Sequence, residues 1–296
     1  MLLRILHQTR YAYEAPVVLA QHLAHLRPLT LDWQTLLEHR LEIEPEPAQL
    51  QTSQDAFGNW RSFFSLLGPH QGLLVRAHSL VQTHAADALP DSPAWEALRA
   101  QLQYRAQAPY VAAAEFVHAS PFVPRHAAFA TYARRFFSPG RPWLQACNAL
   151  MEGIHEEFEY RSLSTAVNTP VLEAFQQRRG VCQDFAHIMI ACLRSLGLPA
   201  RYVSGYLLTR APEGQARLLG ADASHAWVSV PHGDAWADFD PTNRRCGLNG
   251  AGADYVSLAR GRDFGDVSPL RGVIQGGGAH TLEVAVSVAP PHEFAG

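Results

Sequence analysis

Cys182 follows Gly180-Val181 and opens a stretch, "CQDFAHIMIACLRSL", in which Phe185, Ala186, Met189, Ile190, Leu193 and Leu196 recur at helical spacing. A cysteine where a helix begins sits among backbone N–H groups that lack helical partners, at the positive end of the macrodipole. Both features favour the thiolate, which is the nucleophilic form. Gly180 leaves out a side chain that could block approach to the sulfur. The plainer reading is a buried structural thiol, because free cysteine behaves as a small hydrophobe. A nucleophile would further need a base within hydrogen-bond reach and a group to orient that base.

"SHAWVSV", residues 224–230, offers the base. Period-two alternation puts Ala226, Val228 and Val230 on a core face and His225, Trp227 and Ser229 on the other. Because the chain holds 15 histidines, a surface histidine on a half-exposed strand competes with that reading. The following strand, "AWADFD", carries Asp238 and Asp240 on one face. If residues 231–234 form the hairpin loop, Val230 faces Ala235 and His225 falls directly opposite Asp240. A carboxylate there would accept the imidazole N–H and fix its tautomer. A one-residue change of register would break the pairing, and periodicity does not choose between Asp238 and Asp240. Thiol, imidazole and carboxylate in this arrangement follow the logic of nucleophile, base and orienter. Trp227 and Trp236 either border the cleft or pack on neighbouring strands, with packing favoured for Trp236.

These residues need a scaffold. "LLRILHQTRYAY", "HRLEIEPEP" and "LLVRAHSLVQT" read as strands, and "DAFGNW" reads as a turn in which Gly58 and Asn59 tolerate positive φ. Residues 1–88 therefore form an antiparallel β domain, and residues 89–296 hold a helical segment, the catalytic core and a C-terminal strand. Ser92-Pro93 starts a helix, and further helical spacing covers residues 126–137 and 143–158. Thr169-Pro170 starts another that Gly180 ends, and Gly197 stops the helix that begins at Cys182. "RYVSGYLL", a loop containing "APEGQ", "SHAWVSV" and "AWADFD" then give three antiparallel strands, for an α+β core. "GGG" at residues 276–278 is a turn before an alternating strand over residues 282–288.

Composition narrows the function classes. At 47% hydrophobic and 17% charged, the 296-residue chain is globular and long enough for about two domains. A net charge of -3 with scattered basic residues argues against nucleic-acid or anionic-lipid partners. No run approaches the roughly 20 apolar residues of a membrane span. The short apolar run at residues 1–6 is not a signal peptide, so a cytoplasmic protein is expected. The four cysteines form neither zinc spacing nor a disulfide framework, and Cys147, Cys192 and Cys246 read as structural. No phosphate-binding glycine motif or calcium loop occurs, and His155-Glu156-Glu157 lacks the second histidine of a zinc-protease helix. Neither cofactor nor metal is expected.

"RRGVCQDFAHIMIACLRSLGLPARYVSGYL", "ASHAWVSV" and "WADFDPTN", in that order, resemble the transglutaminase-like superfamily in its bacterial form. "LHQTRYAYEAPV", "DAFGNW" and "RDFGDVSPLRGVI" extend the resemblance to the bacterial N-terminal domain and the C-terminal region. The resemblance implies a papain-like core with Cys182 as nucleophile, His225 as base and Asp240, rather than Asp238, as orienter. Ser229 departs from the acidic residue expected after "HAWV", which bears on substrate contacts. Gln176 and Gln177 lie shortly before Cys182, where papain-type enzymes place an oxyanion-stabilising glutamine, although a solvated helix face also explains them. The backbone N–H of Cys182 is a firmer oxyanion donor. The implied chemistry is attack on a peptide or glutamine-type amide and formation of a thioester. Water would resolve it by hydrolysis, which is slightly favoured, and an amine acceptor would give crosslinking. A catalytically silent peptide-binding scaffold is the reading from another class.

Overall fold

A computed structural model describes residues 1–103, 106–107, 110–161, 169–208 and 224–294. The expected "APEGQ" loop lies outside the described residues. Two sheets organise the chain. The first is built on two long strands, β1 (Leu2–Ala24) and β4 (Trp60–Thr83), with β2 (Gln34–Glu44) and β3 (Gln49–Gln54) both paired to β4. The "DAFGNW" turn joins β3 to β4. Gly58 takes φ 79° there, whereas Asn59 does not adopt positive φ. Asn59 is instead fully buried, and its side chain exchanges two 2.8 Å hydrogen bonds with the backbone of Arg260.

Helices α1 (Trp95–Gln101), α2 (Ala127–Arg134), α3 (Trp143–Glu157) and α4 (Val171–Gln177) follow. Ser92 does not cap α1; its Oγ accepts the Leu144 N–H at 2.9 Å, in the first turn of α3. Gly180 likewise does not end α4. Arg178 does, in the left-handed conformation at φ 53°. A short parallel pair, β5 (Glu159–Tyr160) and β6 (Arg179–Gly180), then delivers the chain to α5 (Cys182–Ser195).

The apolar stripe understates how deeply α5 is set. Every residue from Asp184 to Arg194 is buried, because α2, α3 and α4 cover one side of the helix and the second sheet the other. A helix enclosed on all sides is held mainly by packing rather than by intrinsic propensity. Gly197, at φ 78°, closes it as expected.

The second sheet runs β10 (Arg245–Leu248), β9 (Ala235–Asp240), β8 (Ser224–His232), β7 (Arg201–Leu207), β11 (Tyr255–Gly261). The three expected strands form its centre. β10 and β11 complete the two edges. Ala226, Val228 and Val230 join the main core with α5 as their alternation requires. The opposite face is covered too, since Trp227 packs with Val203, Ala251 and Tyr255.

Past β11, the short helix α6 (Phe264–Val267) leads to β12 (Leu270–Gly276) and β13 (His280–Ala289). Both pair antiparallel with β1 and so belong to the first sheet. Residues 89–296 are therefore not one continuous unit, because the chain returns to its starting domain. The turn between them holds Gly276, Gly277 and Gly278 at φ 92°, 89° and 64°, conformations that residues with a Cβ rarely adopt. Among the described residues, no helix is long and apolar enough to cross a membrane.

Candidate active site

Position comes first from the entry to α5. Arg161 N–H donates to Gly180 O at 2.9 Å and Glu159 N–H to Arg178 O at 2.8 Å, fixing the approach to Cys182. Asp184, in the first turn, accepts the Val181 N–H on Oδ2 at 2.8 Å, satisfying a donor at the helix entry. A Cβ on Gly180 would lie 2.7 Å from both Cβ and Oδ2 of Asp184. Glycine is thus required there by the cap as well as by any approach to the sulfur. Cys182 itself is half-buried.

His225 stands at the start of β8, only 9% exposed, and its ring meets groups on two sides. Nε2 pairs with Asp240 Oδ2 at 2.7 Å, and the Cys182 thiol is close enough to the ring to raise its proton affinity. With Nε2 committed to the carboxylate, Nδ1 is the ring nitrogen left for sulfur. The hairpin register differs from the expected one. Only Gly233 and Asp234 form the turn, His232 faces Ala235, and Val230 faces Ala237. The strands have slipped by two residues, not one. Because the side-chain period is two, the slip keeps His225 and Asp240 on one face and makes them diagonal rather than direct neighbours.

Asp240 has no solvent exposure and is saturated with donors. His225 Nε2, Tyr255 Oη and Asn243 Nδ2 each lie 2.7 Å from Oδ2. The backbone N–H groups of Thr242 and Asn243 reach Oδ1 at 2.9 and 3.3 Å. Burial by itself would push this carboxyl up, but the His225 pairing and the Asn243 and Tyr255 donors hold it below its usual value. Burial likewise works against a charged His225, and Asp240 and Cys182 outweigh it, leaving the imidazole with a raised proton affinity. The arrangement favours imidazolium beside a carboxylate, with the Cys182 thiol nearby.

Asp238 shares the face and takes another role. It is buried and accepts the Trp227 indole N–H at 2.9 Å. Trp227 is fully buried and stacks on the His225 ring at 6.1 Å, so it packs against the imidazole. Gln176 is exposed on α4. The α5 first-turn N–H groups, Cys182's included, have no carbonyl partners within the helix. Ser229 is fully buried, so its departure from an acidic residue lies inside the sheet rather than at a substrate surface. Cys147 and Cys192 are buried thiols whose proton affinity burial raises, and Cys246 bonds Asn148 Oδ1 at 3.2 Å. Among the described residues, no group of three or more His, Cys, Asp or Glu is arranged to hold a metal.

Sequence reasoning missed Tyr255 and Asn243. Tyr255 lies on β11, an edge strand that reaches Asp240 only through long-range pairing with β7. Asn243 stood inside the quoted "DPTN", three residues past the aspartate, without a role assigned to it.

Two family profiles match the chain: the bacterial transglutaminase-like N-terminal region over residues 3–82 and the transglutaminase-like superfamily core over residues 130–241. An uncharacterized protein of Mycobacterium tuberculosis is 38% identical over 304 residues, covering 97% of this chain and 92% of that protein. This chain belongs to the transglutaminase-like superfamily. A protein-glutamine gamma-glutamyltransferase of Pseudomonas aeruginosa is 31% identical over 123 residues, 40% of this chain and 18% of that protein. The solved structure of a candidate cysteine protease from Cytophaga hutchinsonii superposes with TM-score 0.72 at 20% identity. The overlap covers 98% of this chain and 91% of that one, so the shared fold extends over both sheets. The α+β, papain-like arrangement is the one expected from the sequence. "RDFGDVSPLRGVI" acts structurally in this member of the superfamily. Asp263 accepts the Phe122 and Gly265 N–H groups, and the Phe264 N–H donates to buried His187, which burial keeps neutral by lowering its proton affinity to about 3.

Proposed function

We propose that this protein cleaves a peptide or glutamine-type amide through a Cys182 thioester, with water as the acceptor. The observation that carries the reading is the 2.7 Å His225–Asp240 pair, with the Cys182 thiol near enough to raise the proton affinity of the same imidazole. In the first half, the Cys182 sulfur attacks the carbonyl carbon and the carbonyl oxygen becomes an oxyanion facing the α5 N-terminus. The imidazolium of His225 gives its proton to the departing ammonia or amine, and the C–N bond breaks. In the second half, neutral His225 takes a proton from water, which attacks the thioester and returns the thiol. Asp240 holds the imidazole in place and stabilises its charged form in both halves. Hydrolysis is favoured over crosslinking because water requires no second binding site.

The test supplies glutamine-containing peptides with and without a primary amine and follows ammonia release, chain cleavage and amine incorporation by mass. Deamidation or cleavage that persists unchanged in the presence of amine supports the proposal. Amine incorporation as the main product would make the protein a crosslinking enzyme. No turnover with a reactive Cys182 would leave the chemistry and redirect the substrate class, whereas no turnover with an inert thiol would favour a peptide-binding scaffold.

A further inference from the structure

The sheet face that carries His225 continues to Ser229, which pairs with Arg201 on β7. Four residues of strand put this end about 13 Å from the imidazole. Trp227 and Tyr255, both fully buried, fill the space between. Arg201 is 8% exposed, and its guanidinium lies 3.6 Å from the centroid of the Trp236 ring. Arg260 on β11 faces it. The Nε of each is buried without a hydrogen-bond partner, and no ion pair to either guanidinium forms among the described residues. Burial and the like charge of Arg260 together push the Arg201 proton affinity well down.

Arg194 shows how this fold treats a buried arginine that is purely structural. Its guanidinium donates to Phe116 O, Ala200 O, Ser120 Oγ and Arg262 O. Arg201 and Arg260 have no such partners among the described residues. They face a cavity of about 460 Å³ walled by Trp236 and by residues 29–33 of the first domain. A second cavity, of about 670 Å³, is also lined by Arg201, Asp234, Trp236 and Arg260. The walls are fixed. Gln34 Nε2 donates to Leu29 O and Ser257 O at 2.6 and 2.9 Å, and Asn59 holds the Arg260 backbone. Leaving two guanidiniums under-paired in a rigid, buried pocket is costly unless something else completes them.

We propose that Arg201 and Arg260 form a second ligand site, separate from Cys182, that takes the carboxylate of a small amino-acid-like molecule. The charge count sets the class. At the floor two guanidiniums stand against one buried carboxylate, Asp238, which leaves a guanidinium fork for a carboxylate ligand, while the cavity's other two carboxylates, Asp32 and Asp234, are exposed. The guanidinium fork matches a carboxylate, and stacking on Trp236 holds one fork in orientation. Asp32 and Asp234 line the same cavity and are exposed, so its mouth is acidic. That mouth disfavours polyanions and suits an ammonium group. The volume is in the range of small-molecule pockets.

The test measures melting temperature and calorimetric binding of the full chain with the twenty common amino acids, L-alanyl-L-alanine, acetate, methylamine and inorganic phosphate. We expect a saturable upward shift with one or more of the zwitterions, a weaker one with acetate and none with methylamine. Affinity falls about tenfold or more in Arg260→Gln, which keeps the backbone bonds to Asn59, and is unchanged in Cys182→Ser. Retention in Cys182→Ser separates this site from the proposed catalysis. No shift with any zwitterion, an equal shift in Arg260→Gln, or binding of phosphate alone would overturn the proposal. If Arg201→Gln fails to fold, Arg260→Gln decides the matter by itself.

Discussion

Two buried charge clusters lie on one face of the second sheet, and they are finished to different degrees. At the His225 end, Asp240 accepts from two side chains besides the imidazole and from two backbone N–H groups, so its charge is met from within the fold. At the Arg201 end, two guanidiniums keep buried Nε donors without partners. The strand scaffold is the same, as is the depth of burial of Arg201 and His225, at 8% and 9% exposed. Burial alone therefore does not assign a role. A saturated charge positions a neighbour, here the imidazole. An unsaturated one, which no described residue completes, is open to a ligand of the kind proposed above.

Removing the nucleophile is the largest disturbance of the saturated end. Cys182→Ala should lower amide turnover by at least on the order of 10⁴-fold without altering the melting temperature much, measured side by side. Asp240→Asn should follow, at roughly 10³- to 10⁴-fold in kcat, because the imidazole loses its orienting charge. Tyr255→Phe removes one donor and leaves the rest; about 1.5–3 kcal/mol of stability should go with it by denaturant titration. Arg201→Met makes the opposite case. Losing a buried guanidinium that no described residue hydrogen-bonds at Nε should leave ligand-free stability unchanged or raise it by about 1 kcal/mol, and a clear loss would erase the contrast between the two ends. Gln176→Ala, on the exposed face of α4, should change turnover by less than about twofold, as surface substitutions do.

The two ends also differ in their dependence on pH. His225 has a folded-state pKa above the usual 6.5, so its contribution to stability is complete below 6.5 and fades as pH rises through the raised value. Asp240 has a pKa below the usual 3.8, so its contribution is complete above 3.8 and fades as pH falls through the lowered value. The pair is therefore fully present between those two values. The stability difference between wild type and Asp240→Asn should be greatest there, and a flat difference from pH 4 to 9 would contradict the pairing.

Local features of this arrangement were legible in the sequence, and non-local ones were not. The helix from Cys182 to Ser195 follows from its stripe and from Gly197, and the faces of β8 and β9 follow from alternation. The register did not follow, because a tight Gly233-Asp234 turn and a four-residue loop leave the same residues on the same face. Asp240 over Asp238 came from the family resemblance; the structure gives the reason, since the Trp227 indole occupies Asp238. Tyr255 and the pairing of β12 and β13 with β1 depend on contacts between distant segments, which no periodicity encodes. Alternation leaves Trp227 open between the cleft and the neighbouring strands, because it does not show what covers that face of β8. The Val203–Ala251–Tyr255 cluster that closes it comes from two other parts of the chain.

Whether Cys182 and His225 act as one unit is decided by the pH dependence of iodoacetamide labelling, with the modified peptide identified by mass, in wild type and His225→Ala. A coupled pair gives rapid modification of Cys182 well below the free-thiol midpoint of about 8.5, lost in His225→Ala. Slow labelling in the wild type, unchanged by the substitution, would show that the thiol at the head of α5 is only packed there.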